Sequence, residues 1–318
     1  MTTLHDPRGV SLTLLDLGPD PVTTALESYP LVVVAMTPTT DARVHTRLRQ
    51  LGVHVIPGGQ VGDGRRAALM AAGADQPACF SCDFDRWLHW ARFWPDELAA
   101  LPARVARLGG GRCIAPWYVC LGRTARAFAT HPAAQRLPET ATNRALSAAT
   151  GRRLDAVAGA AWLTPEAVEI ILASSCEPTA ATDLEWPALI LRHDPGRLRD
   201  LRCEGLEWET PDFHAAEIMA TGGLAAWTRA IFDTHTMWAA RLRLAAASGA
   251  ALERVLSNEP RLHTDPLSYL RQERGLGGET APSSPLTPPG RSAAAGDPAR
   301  TGTTSSSVPG AASRPGPG

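Results

Sequence analysis

Short apolar runs alternate with stretches of helical period over the first third of the chain. Residues 31–36 are wholly apolar, of strand length, and β-branched at their centre. Thr37 and Pro38 break that run, and Asp41 is placed to cap a helix over about 42–50 that stops at Gly52. Residues 53–56 form a second short strand pattern, closed by Pro57, Gly58 and Gly59. Gly62, Asp63 and Gly64 then open a helix over about 64–72, and residues 78–82 supply a third strand. Strands that alternate with covering helices predict a parallel, doubly wound sheet.

The pattern continues with helices. Trp87, Trp90 and Trp94 recur at i, i+3 and i+7, one face of a helix. That spacing predicts a core-packing stripe, with a stacking platform for a sugar or base as the minority reading. Pro95 starts a further helix to about 107, and Gly109 to Gly111 make a flexible turn. Residues 116–121 read as a strand and 133–150 as a helix. Thr164 followed by Pro165 is an N-cap with proline at the first helical position, and that helix runs to about 174. A further helix begins at about 181, a strand is expected over about 204–210, and 224–256 is largely helical. From about 275 onward the chain is Gly, Pro, Ser, Thr and Ala without apolar period, the composition of a disordered tail.

Composition narrows the chemistry. The 318 residues carry 31 basic and 32 acidic side chains, so bulk charge does not point to nucleic acid. Every basic residue is arginine. That excludes a lysine Schiff base, a pyridoxal-phosphate anchor and a Walker-type lysine. Phosphate, if bound, must be met by arginine forks, backbone N–H groups or a metal. Cys79 and Cys82 form a C-x-x-C without a second pair at zinc-ribbon spacing, so they read as structural. No segment resembles a signal peptide or a membrane span, which predicts a cytoplasmic protein without a transmembrane segment.

The candidate chemistry centres on Asp83, Phe84 and Asp85, directly after the strand pattern at 78–82. Ligands of open α/β sheets collect at the carboxyl ends of strands. Alternate residues of an extended segment point the same way, so both acids can face one site. Two hard oxygen ligands suit Mg²⁺ or Mn²⁺ carrying phosphates; acidic turn residues at a strand end are the plainer reading.

The valine-rich strand, the Gly62-Asp63-Gly64-Arg65 loop and the strand ending in Asp83-Phe84-Asp85 together resemble a GT-A glycosyltransferase, bacterial family-2-like. Residues 157–164 resemble the acceptor-side segment of that family, and residues 181–185 its acidic motif. The resemblance covers about 30–210. It implies a GT-A-type, mostly parallel α/β domain over about 1–274 with helices on both faces. It also implies transfer of a sugar from a nucleotide-sugar donor to a small hydroxylated metabolite, a lipid or a glycan.

The roles it implies fall on particular residues. Asp85 would ligate the Mg²⁺ or Mn²⁺ ion directly, and Asp83 would hold the ribose or a metal-bound water. Gly62 and Gly64 would shape the donor loop. Arg65 would meet a diphosphate or a uracil-type base, and Arg123 a phosphate. Asp183, with Glu185 second, would take the acceptor's proton. His214 or His235 would add a metal ligand.

Two other enzyme classes share parts of this pattern. A nucleotidyltransferase would want a basic signature near the first strand, where Thr37 and Pro38 stand. A haloacid-dehalogenase-like phosphatase would want a lysine, which is absent. A GT-A-like scaffold without catalysis is the third alternative. Truncation after about residue 275 is expected to leave the melting temperature unchanged; a large drop would show that the tail is part of the fold.

Overall fold

The computed structural model describes residues 2–4, 23, 26–38, 40, 42–73, 76–110 and 114–257. The expected boundary near 275, the tail beyond it and the cap at Asp41 lie outside the described residues. Seven strands are described: β1 (Thr2–Leu4), β2 (Val33–Met36), β3 (His54–Pro57), β4 (Cys79–Cys82), β5 (Tyr118–Arg123), β6 (Ala160–Leu163) and β7 (Leu198–Cys203). The helices that matter for the site are α1 (Ala42–Gln50), α2 (Val61–Ala72), α3 (Phe84–Phe93), α4 (Pro95–Leu108), α5 (Ala125–Thr130) and α6 (Ala133–Thr150). They continue with α7 (Pro165–Ser174), α8 (Thr182–His193), α9 (Thr210–Phe213), α10 (Ala215–Ala220), α11 (Leu224–Ile231) and α12 (His235–Ser257).

The strands make two sheets, ordered β1-β2-β3 and β4-β6-β5-β7. The first is wholly parallel. In the second, β5 and β7 are parallel, while β6 runs antiparallel to both β4 and β5. The expected single, doubly wound and mostly parallel sheet is therefore corrected: β4 stands in a second sheet apart from β2 and β3, and β6 runs against both of its neighbours. Apolar period places a strand in a buried layer but carries no information about its direction.

Alternation along the strands sends side chains into two cores. Val34 and Met36 of β2 pack with Phe80 and Cys82 of β4 and with Val119 and Leu121 of β5. This core is closed by α1, α3 and α4 through Leu48, Trp87 and Leu101. Val33 and Ala35 face the other way, with Cys79, Tyr118, Cys120 and Leu163. There α2, α7, α8 and α12 cover them through Leu69, Ile171, Leu189 and Leu252. Both sheets contribute to both cores, so helices cover each face of an α/β layer.

The tryptophan stripe is core. Trp87 and Trp90 are almost fully buried, and Phe80 meets Trp90 edge to face at 5.9 Å between ring centres. Cys79 and Cys82 are free and buried, one in each core. A spacing of three on a strand turns them to opposite faces, so they cannot share a metal.

Two local expectations are corrected. The strand near 204–210 is instead β7 at Leu198–Cys203, and α9 begins at Thr210. β7 reads Leu198-Arg199-Asp200-Leu201-Arg202-Cys203 and is half-buried over its middle four residues, so it lacks the two-residue alternation that marks a strand. The glycines at 62 and 64 lie inside the first turn of α2, not in a loop before it. The short strand β1 stands in a stretch that shows no periodic pattern.

Candidate functional site

β4 ends at Cys82 and α3 begins at Phe84, so Asp83 sits at the junction with extended backbone, φ −61° and ψ 134°. Its side chain makes no capping hydrogen bond to α3, which leaves the carboxylate for tertiary partners. Asp85 lies in the first helical turn, where its Oδ1 accepts from the Arg86 N–H at 2.8 Å. The two acids are thus not on one extended segment, as alternation predicts. They still share a cavity of about 300 Å³. Its wall combines Asp83, Asp85, Asp183, Glu139 and Glu209 with Arg65, Arg86 and Arg241, and the helical side is completed by α6 and α12.

Arg65 organises the wall. This guanidinium, 4% exposed, donates from Nη2 to Asp83 Oδ1 at 2.7 Å. Its Nη1 donates to Asp183 Oδ1 at 2.6 Å and to Thr182 Oγ1 at 2.8 Å. An acid from the end of β4 and an acid from the start of α8 are thereby held on one fork. Asp83 and Asp183 keep 23% and 15% of their side-chain surface open.

Gly159 makes the close approach possible. Its φ of +66° is left-handed, and a Cβ there would run into the Asp83 carboxylate. Its carbonyl accepts from the Asp83 N–H at 2.9 Å.

The electrostatics follow from five acids facing three arginines. Burial pushes the Asp85 carboxyl well above its ordinary value, and the charges of Glu209 and Asp83 add to that. Burial also raises Asp183, to about 6; Arg65 opposes the rise, and Asp83 reinforces it. A cation in the cavity would favour the ionised form of both.

Among the described residues, no group of three or more His, Cys, Asp or Glu side chains is arranged to hold a metal ion. Mg²⁺ sites commonly use one or two carboxylates and complete the shell with water and substrate phosphates. Asp83 and Asp85 fit that partial role by charge and position, since both line the cavity and the hydrogen bonds to each carboxylate fall on Oδ1.

The other expected site residues lie elsewhere. Glu185 follows Asp183 by two positions on α8 and therefore points away from it. Its carboxylate is 1% exposed and accepts from the Cys176 and Glu177 N–H groups at 3.0 and 3.1 Å, so it pins a loop. Gly62 packs against the backbone of Glu177 and Pro178, which a Cβ would strike. Gly64 faces Ala35.

Arg123 has no exposed side-chain surface and binds Asp155 through Nε and Nη2 at 2.9 and 2.8 Å, and Glu139 at 2.7 Å. All of its strong acceptors are the protein's own, so it is not available to a phosphate. His214 packs on Trp227 at 5.1 Å and bonds Glu217 at 3.1 Å, away from the cavity wall. His235 is exposed at the start of α12.

Arg86, Glu139, Glu209 and Arg241 are the charged wall residues that the sequence did not single out. The one signal was Arg86, directly after Asp85, on the buried side of a helix. Glu139 and Arg241 arrive from distant helices and have no local signature. Comparison with protein-family models, with curated proteins and with solved structures found no match.

The Arg123 network gives a stability prediction. Burial alone would raise Asp155, but the Arg123 charge and hydrogen bonds hold it down at about 2. The stabilisation is present above the ordinary aspartate value of about 3.9 and is lost as pH falls toward 2. Asp155→Ala would strand the buried guanidinium and cost about 3–5 kcal/mol by denaturant unfolding at pH 7. In that variant the acid-side loss of stability should be shallower than in the parent.

Proposed function

We propose that this chain is a metal-dependent glycosyltransferase of GT-A type, moving a sugar from a nucleotide-activated donor to a hydroxyl acceptor. One observation carries the reading. Asp83 and Asp85 from the junction of β4 and α3, and Asp183 from the start of α8, line a single cavity at the carboxyl end of β4. That is the end where open α/β sheets take their ligands. The fold is compatible: β1 lies beside β4, so the β1-β2-β3 sheet borders the β4-β6-β5-β7 sheet.

Transfer from an anomeric carbon builds positive charge on the sugar and negative charge on the departing diphosphate. Asp85, with Asp83, would hold a divalent ion, and that ion would neutralise the leaving group. The chain's own residues do the rest. Asp183 stands at the cavity wall with a value near neutral pH, suited to taking the acceptor hydroxyl's proton. Arg65 keeps that carboxylate aimed and holds it at a fixed place relative to Asp83. Burial of the wall limits water and strengthens each of these interactions.

A thermal-shift screen with UDP-, GDP- and dTDP-sugars plus Mn²⁺ tests the reading. A sugar nucleotide should raise the melting temperature only with the metal, and Asp85→Ala should abolish the rise. Stabilisation by nucleoside triphosphates alone would instead mark a nucleotidyltransferase, and a folded chain that answers to nothing would mark a scaffold.

With a donor in hand, kcat/KM should fall as pH drops below about 6, because protonated Asp183 cannot accept a proton. Asp183→Asn should lower kcat by about 10²–10⁴-fold and remove that limb of the profile.

A further inference from the structure

We propose that Arg86 and Glu209 form a hydroxyl-reading pair, which selects the sugar by one of its ring hydroxyls. Both line the cavity, and each is at least nine-tenths buried, at 7% and 6% exposure. Their ion pair is slack: Nη2 of Arg86 stands 3.7 Å from Oε1 of Glu209, beyond hydrogen-bond reach. It leaves Nη1 of Arg86 and Oε2 of Glu209 buried without partners. Such orphans are uncommon in folded proteins, because each costs about 1–3 kcal/mol.

The slackness is not a loose segment. The helix that carries Arg86 also carries His89, whose Nδ1 is 2.5 Å from Asp212 Oδ2 in α9. The N–H of Trp208 donates to Thr130 Oγ1 at 2.8 Å. The chain around Glu209 is therefore fastened on both sides, while the Arg86–Glu209 contact is left open.

The missing partner must both donate and accept. A phosphate would suit Arg86 but meet the repulsion of Glu209, and a cation would meet the reverse. A hydroxyl is neutral, accepts from Arg86 and donates to Glu209, and the 3.7 Å gap between the two side chains is too long for their own hydrogen bond. A sugar ring presents such groups in a fixed array. This assignment deepens the transfer reading for the donor or acceptor sugar. It needs neither the metal nor the nucleotide to be correct.

The test uses the full chain and two sets of probes. One set is UDP-, GDP- and dTDP-hexoses with Mn²⁺, and the other is methyl hexopyranosides without metal. Each binder is compared with its monodeoxy analogues by NMR or calorimetric titration. In the parent protein, loss of one particular hydroxyl should weaken binding about tenfold or more, the worth of a hydrogen bond to a charged group. In Glu209→Gln the same deoxygenation should cost less, under about threefold, because the neutral amide oxygen is a weaker acceptor than the carboxylate.

Glu209→Asp keeps the charge but withdraws the acceptor. It should behave in the same way, and it serves if the glutamine variant does not fold. A deoxygenation cost that survives in both variants overturns the pair, as does the absence of any sugar binding in either set. Coupled binding of the methyl hexosides with no response to any nucleotide sugar would keep the pair and remove the transfer reading.

Discussion

A buried guanidinium between two carboxylates is the constraint on which this site depends. Arg65 is placed by α2, Asp83 by the end of β4 and Asp183 by the start of α8. A charge taken out of water is tolerated only with close, well-directed partners, and removal of one partner of a buried pair costs about 3–5 kcal/mol. The three elements are thereby tied at one point. Gly159 belongs to the same constraint, since only a residue without a Cβ lets the backbone pass so close to Asp83. The acids keep part of their surface toward the cavity, so they remain usable by a ligand.

The rest of the wall is set against that knot. Arginine is the only basic side chain in the protein, and its fork satisfies two acids at once where an ammonium would be a point charge. The cavity keeps an excess of acids over arginines; burial raises Asp85 and Asp183, and neighbouring acids add to the rise. A second network joins Arg123 with Asp155, Glu139 and Asn143. Glu139 belongs to both, because it also lines the cavity. In the Arg123 network the guanidinium finds close acceptors, whereas Arg86 and Glu209 each keep a buried atom without a partner.

The layered architecture explains why such different residues meet. Two cores flank the sheets, and each strand feeds both by alternation. With both faces covered by helices, the open space lies at the strand ends. Helices α2, α3 and α8 all begin near that end, so their first turns bring Arg65, Asp85, Arg86 and Asp183 to the cavity.

Much of the local structure was legible in the sequence. The strands near β2 to β5, the helices α1 to α4 and α6 to α8, the tryptophan stripe and the buried cysteines follow from period, caps and burial, which are encoded over a few residues. Asp83, Asp85, Asp183 and Arg65 were identifiable as candidates because they stand at element boundaries, where side chains escape the core. What only the tertiary structure decided is long-range. The reversed direction of β6, the diversion of Arg123 to Asp155, the turning of Glu185 and His214 away from the cavity, and the arrival of Glu209 and Arg241 depend on packing between distant segments. Hydrophobic period records whether a residue is buried, but not which residue it will be buried against.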